Sequence, residues 1–336
     1  MATQRTVQPM QAEWSRLYSQ ASRFRQLAPW QWLTDDRFIA VEEPETGDTA
    51  YCVVMGAGGI EYGLLAYRGA VGFKGYLLVA NEAVDEDESM FIQDCLSLSF
   101  GDRELVDKAD RAIHAALGLK FRGRGQWPLF RSHRGVYFPT RLDQQEAKFL
   151  ATCLEQVCGF VEEGQSGRPL PSPTEERPLV GRRRNRAGTW ETTVFPLPPQ
   201  PPLPTLAIER GRVDAALAKC AKTRQTWQAR VETAGIIDEG KGTQPFFARI
   251  LMCVEAKSGF ILPGDVLEPE ESVQEGLMSA VEESGVIPHA LNVTSPYLQG
   301  ELAPLAEALG IKVSQVTRMK NLDEASEALK AAVRRS

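Results

Sequence analysis

FFARILMCVEAKSGFILPGDVLEP (246–269), ESVQEGLMSAVEESGVIP (271–288), HALNVTS (289–295), PYLQGELAPLAEALG (296–310) and IKVSQVT (311–317) follow one another through the last third of the chain. Phe246–Glu255 and Gly259–Leu267 are apolar β-type runs joined by a tight Lys257-Ser258-Gly259 turn. Glu270–Gly285 then carries Val273, Leu277, Ala280 and Val281 at helical spacing, and Ala290–Thr294 is a short buried strand. Pro296 opens a second helix that presents Leu298, Leu302, Leu305 and Leu309 and stops at Gly310, the usual asymmetry of helix ends. Ile311–Val316 is the next strand, and Asn321 or Asp323 caps a last helix with Leu322, Ala325, Leu329 and Val333. A helix from about Ile208 to Thr223 and the alternating run Trp227–Ile237 come before all of this. Three antiparallel strands followed by alternating helices and strands predict an α/β domain over 206–336, a mixed five-stranded sheet with helices on its faces.

The N-terminal half reads differently. Residues 9–28 repeat Met10, Trp14, Leu17, Tyr18, Ala21, Phe24 and Leu27 at three- and four-residue steps, a helix with one apolar face. Strand-like runs follow at Arg37–Glu43, Tyr51–Gly56 and Ile60–Arg68, separated by turn residues. Gly56-Ala-Gly-Gly59 lies between two strands with no helix opening after it, so a hairpin turn fits better than a phosphate loop. A helix over 70–79, the acidic run Glu82–Glu88, a strand over 94–100 and helices over 103–117 and 142–160 complete an α+β domain, an antiparallel meander with helices, over 1–160.

Within that half, Lys120–Arg141 holds Lys120, Arg122, Arg124, Arg131, Arg134 and Arg141 without one acid, interleaved with Phe121, Trp127, Phe130, Tyr137 and Phe138. Cations with aromatic faces are what a single-stranded nucleic acid groove uses, through phosphate neutralisation and base stacking. Arg122, Arg124, Trp127, Arg131 and Arg134 are the contact candidates. The same residues also suit a satellite core whose arginines pair with the acidic run at 82–88. Residues 161–205, rich in Pro, Gly and Arg, read as a linker that cannot build a core, the one segment with a positive balance. Its knot of Arg182, Arg183, Arg184 and Arg186 adds a second candidate contact for nucleic acid or an acidic protein partner, Pro196–Pro204 suits a stiff polyproline spacer, and Trp190–Phe195 between them reads as a short strand or a docked segment.

Composition sets outer limits. A chain of 336 residues with 43% hydrophobic and 24% charged residues is globular and long enough for two cores. No apolar run approaches the roughly 20 residues of a membrane span, and MATQRTVQPMQAEW lacks the apolar stretch of a secretion signal, so a cytoplasmic setting without a membrane is expected. A formal charge of −6 argues against a surface coated throughout for nucleic acid. The six cysteines form no CxxC pair and sit mostly in apolar runs, which predicts buried thiols and no metal site.

The phrases YCVVMGAGG (51–59), EYGLLAYRG (61–69), LSLSFGDRELVD (96–107) and LKFRGRGQWPLFRSHRGVYFP (119–139) resemble, in order, the N-terminal module of a mostly bacterial family known as a domain of unknown function. The C-terminal half is similar to a second such domain that accompanies it. The resemblance implies two domains and a bacterial cytoplasmic setting, and brings no activity or site residues with it. The strand order of the C-terminal half also resembles the ribonuclease H-like fold of nucleases, transposases and integrases, a likeness of topology only. Such enzymes hold two metal ions with converging carboxylates. Glu232, Glu255 and Glu275 or Glu282 stand at fitting places, but the fourth strand ends in Asn292-Val-Thr-Ser295 without an acid. The three histidines, His114, His133 and His289, belong to no hydrolase, P-loop or zinc motif. No catalytic residue, metal or cofactor is therefore assigned, and a binding or regulatory protein is expected, with nucleic-acid binding or a degenerate nuclease as alternatives. Because α/β sheets take ligands outside the carboxyl ends of their strands, a small-ligand crevice is expected with Ser295, Tyr297 and Arg318 at its rim.

Overall fold

The structure, a computed structural model, describes residues 7–164, 170, 178–240 and 243–333. In chain order its elements are α1 (Gln11–Leu27), β1 (Ile39–Glu42), β2 (Thr49–Met55), β3 (Gly63–Arg68), α2 (Gly69–Ala80), α3 (Glu86–Phe91), β4 (Asp94–Gly101), α4 (Lys108–Ala116), β5 (Trp127–Arg134), β6 (Tyr137–Thr140), α5 (Gln144–Glu162), β7 (Leu179–Arg184) and β8 (Trp190–Phe195). They continue with α6 (Arg210–Lys219), β9 (Ala221–Lys222), β10 (Thr226–Ile237), β11 (Phe246–Glu255), β12 (Val266–Leu267), α7 (Val273–Ser284), β13 (Val286–Ile287), β14 (Ala290–Val293), α8 (Pro296–Leu309), β15 (Lys312–Gln315) and α9 (Lys320–Val333). The protein is thus a mixed α and β chain with two compact units. The first unit comprises Met1–Leu77, Gln93–Arg134 and Pro139–Pro201, and the second Leu78–Ile92, Gly135–Phe138 and Pro202–Ser336. Among the described residues no helix is long and apolar enough to cross a membrane.

In the first unit the strands lie in the order β5-β4-β3-β2-β1-β7-β8. Every pair is antiparallel except β1 with β7. Both faces of the middle strands are buried, which is why β2 and β3 read as nearly continuous apolar runs. Successive side chains point to opposite sides: Cys52, Val54, Leu64 and Ala66 join a core with α1 and α5, while Tyr51, Val53 and Tyr67 join a second cluster with Phe38 and with Phe73 of α2. The face of α1 expected from its spacing is the buried one, with Trp14, Leu17, Tyr18, Ala21 and Phe24 all inside. Asp143 accepts from the Glu146 amide at 2.9 Å and the Glu146 carboxylate accepts from the Asp143 amide at 3.0 Å, a reciprocal cap that starts α5.

Several expectations shift. The third strand begins at Gly63, leaving Ile60 94% exposed in the turn before it. Asp107, whose carboxylate accepts from the Ala109 and Asp110 amides, starts α4 five residues later than periodicity suggested. Part of the stretch read as a linker is a β-hairpin, β7 with β8, paired from Leu179↔Phe195 to Arg184↔Trp190. Residues 165–169 and 171–177 of that stretch lie outside the described residues.

In the second unit the main strands run β12-β11-β10-β14-β15. β10 is antiparallel to β11 and parallel to β14, β15 is parallel to β14, and β12 is antiparallel to β11. α6, α7 and α8 cover one face over Trp227, Val231, Leu251 and Leu291, and α9 covers the other over Met252 and Val254. Gly285 and Gly310, both left-handed, end α7 and α8. The strand expected over Gly259–Leu267 is reduced to Val266–Leu267 and an isolated bridge between Val254 and Ile261. Of the cysteines only Cys220 is not fully buried, and none is in a disulfide.

Candidate functional site

The register of β4 against β5 builds a site in the first unit where cations gather around open space. Gly101 pairs with Trp127 at the end of the two strands, so the residues that follow Gly101 lie beside those that precede Trp127. Asp102 secures the junction by accepting from the Gly125 amide at 2.7 Å. Gly123 and Gly125 both have positive φ, 92° and 60°, which lets the chain fold back tightly between Phe121 and Trp127. The outcome is a cavity of about 740 Å³ lined by Asp102, Arg103, Glu104, Leu105, Phe121, Arg122, Gly123, Arg124 and Trp127.

Arg103, Arg122 and Arg124 are exposed and make no ion pair among the described residues. The aromatic wall is packed against a buried histidine. Phe121 and Trp127 sit 5.7 Å apart between ring centroids and both pack on His114, at 5.0 and 5.9 Å. His114 is 4% exposed, and neither ring nitrogen has a hydrogen-bond partner. Burial lowers its pKa, with Asp110 opposing, which keeps the imidazole neutral.

The other arginines of the basic stretch are spent within the fold. Arg131 pairs with Asp110 at 2.6 Å, and Arg141 bonds to both Asp107 and Asp110. Arg134 reaches Glu146 at 2.7 Å, where Arg68 at 2.8 Å and the Ser132 hydroxyl at 2.6 Å converge on the same oxygen. Burial would raise Glu146, but Ser132, the Asp143 amide and Arg134 hold it below the usual carboxylate range. These partners are on α4 and α5, not in the acidic run at 82–88. Arg131 and Arg134 therefore stand in ion pairs away from the cavity, while Arg122, Arg124 and Trp127 surround it.

The arginine knot is likewise divided. Arg182 is 3% exposed, bonded to Glu163 at 2.7 Å and Thr192 at 2.8 Å. Arg183 pairs with Glu42 at 3.2 Å and Arg184 lies over the Trp190 ring at 5.5 Å. Arg186, in the β7–β8 turn, is exposed and unpaired among the described residues.

Where a ligand crevice was expected, the second unit holds its own chain. Ser295 is 1% exposed; its hydroxyl accepts from the Leu298 amide and donates to the Ala83 carbonyl at 3.2 Å. The Tyr297 amide donates to the same carbonyl at 3.0 Å, and Arg318 stands exposed beyond β15. A second, shallower cavity of about 480 Å³ lies at Arg224, Thr226, Glu255 and Lys257. Among the described residues no three His, Cys, Asp or Glu side chains are grouped to hold a metal ion. Glu232, 1% exposed, is bound by Arg230 at 2.9 Å and Lys330 at 3.6 Å.

Sequence reasoning missed Arg103 as a partner in the cavity, because only strand register brings residue 103 beside residue 122. It also missed the docking of 82–92 within the second unit, for which an acidic run carries no local signal.

A chain in the cryo-electron microscopy structure of the simian T-cell lymphotropic virus intasome in complex with PP2A regulatory subunit B56 gamma is 17% identical, over 34% of this chain and 42% of that one, with a TM-score of 0.24. The chain thus spans less than half the length of that relative. No curated protein matches it. Two family models do: a domain of unknown function, DUF7309, over residues 14–182, and another, DUF6930, over residues 215–330. With the first of these spanning half of its length, the chain belongs to the family of the domain of unknown function DUF7309.

Proposed function

We propose that the chain is a non-catalytic binding protein of the bacterial cytoplasm that takes single-stranded nucleic acid in the groove between Asp102–Leu105 and Phe121–Trp127. The observation that carries this reading is selective pairing: Arg131, Arg134 and Arg141 are neutralised by Asp107, Asp110 and Glu146, whereas Arg103, Arg122 and Arg124 are left free around an aromatic wall. Phosphates neutralise the free guanidinium groups, and a base stacks on Trp127. Asp102 and Glu104 in the same lining temper the charge and disfavour a stiff duplex, whose phosphates cannot avoid them. Glu163, Glu42 and Thr192 absorb most of the arginine knot, which leaves Arg186 as a weaker second contact.

The order β12-β11-β10-β14-β15, with β10, β14 and β15 parallel, supports a ribonuclease H-like arrangement of the second unit. Its first-strand carboxylate, Glu232, already holds two cationic side chains, so a metal ion there would compete with both. That favours binding over metal-dependent cleavage.

Titration of a fluorescent oligothymidylate tests the proposal. Trp127→Ala should weaken binding about 5- to 150-fold, as loss of one stacked base does, and Trp127→Phe should restore most of it. Equal affinity in all three proteins, or tighter binding of an acidic peptide than of the oligonucleotide, refutes it.

A further inference from the structure

The segment Leu78–Ile92 belongs to the second unit and is tied to it at four points. The Ala83 carbonyl accepts from the Ser295 hydroxyl and the Tyr297 amide, Asp85 accepts from the Thr294 hydroxyl at 2.6 Å, and Asp87 accepts from the Thr233 amide at 3.0 Å. It therefore covers the carboxyl end of β14 and the start of α8, where an α/β sheet presents its ligand edge. Glu88 is the anomaly in this contact. Its side chain is 1% exposed; Oε2 accepts from the Asp85 amide at 2.8 Å, and Oε1 is buried with no hydrogen-bond partner.

The groups that face Glu88 give an ionised carboxylate little help. Asp85 is on its own segment, and α8 contributes Ser295, Tyr297 and Glu301. Arg249 of β11 is near Tyr297, but its guanidinium donates to the carbonyls of Glu268, Pro269 and Glu271. Among the described residues no Lys, Arg or His forms an ion pair with Glu88.

We propose that 82–92 is an acid-latched strap, docked over Thr294–Tyr297 while the Glu88 carboxyl is neutral and loosened when it ionises. The proposal is independent of the groove in the first unit. Burial pushes Glu88 up to about 7, with the Asp85 amide opposing and the Asp85 and Glu301 charges adding to the rise. Once released, the carboxyl returns to about 4.5, so the docked strap holds more protons than the free one between those values. Docking is strongest below about 4.5, weakens as pH rises through 7 and is flat above it.

The Tyr297 and Thr233 amides, which donate to strap oxygens, are the reporters. Their hydrogen-exchange protection, measured by NMR on the full chain and corrected for the intrinsic pH dependence of exchange, should fall on the order of 50-fold from pH 5 to pH 8. Glu88→Gln, a neutral isostere, should hold both amides at the pH 5 level at either pH. Equal protection of the wild type at the two pH values overturns the proposal, and this arm decides even where the variant does not fold. A Glu88→Gln protein that follows the wild-type pH dependence overturns it too, as does a loss of protection shared by all of β10 and β11, which would report global opening.

Discussion

Glu146 illustrates how single residues divide the basic stretch into a framework and a free surface. Its one oxygen gathers Arg68, Arg134 and Ser132, and its other caps α5 through the Asp143 amide. Glu146→Gln keeps the shape but removes the charge that two guanidinium groups share, one of them only 18% exposed. Breaking a buried pair from one side typically costs about 3–5 kcal/mol, and Arg134 is solvated enough to bring this to about 2–4 kcal/mol, which a urea titration should show. A loss within about 0.5 kcal/mol would mean that the arginines are satisfied elsewhere. The contrast with Arg122 and Arg124 decides the function argued for: a composition count ranks all six cations alike, and only partner geometry separates them.

At the scale of elements, close approach matters more than propensity. Gly276 faces β11 so tightly that a Cβ there would stand 2.7 Å from the Leu251 Cβ. Gly276→Ala should therefore destabilise the second unit by about 1–3 kcal/mol despite the better helix propensity of alanine, with a lower urea midpoint as the readout. A stabilised variant would show that α7 can lift away from the sheet without penalty. Elements bounded by strong punctuation were legible in the sequence: β11 coincides with the expected Phe246–Glu255, and α8 starts at Pro296 and stops before Gly310. β7 was not legible, because Arg182 inside a strand looks solvated until Glu163 and Thr192 are seen to satisfy it. β5 was hidden for a similar reason, its Arg131 and Arg134 alternating with buried Leu129, Phe130 and Ser132.

For the molecule as a whole, pH and salt act on different parts. Burial lowers His133 to about 4, with Arg68 and Arg131 adding to the effect, so the folded first unit holds it neutral while the unfolded chain protonates near 6.5. Because the folded pKa is the lower one, that contribution is fully present above 6.5 and is lost as pH falls toward 4, on the order of 2 kcal/mol after allowance for partial exposure. Urea midpoints that drop between pH 6.5 and 4 in the wild type and stay flatter in His133→Gln would show it; parallel curves would not. Arg122, Arg124 and Trp127 could be singled out in advance from their clustering, whereas Arg103 joins them only through the Gly101↔Trp127 register. If unpaired arginines around Trp127 grip a phosphate chain, as proposed, the salt dependence of oligothymidylate binding counts them. Replacing Arg103, Arg122 and Arg124 by Ala together should flatten the slope of log affinity against log salt by about 2, near 0.7 for each phosphate no longer neutralised. A slope identical to that of the wild type, or binding indifferent to salt in both proteins, would contradict it.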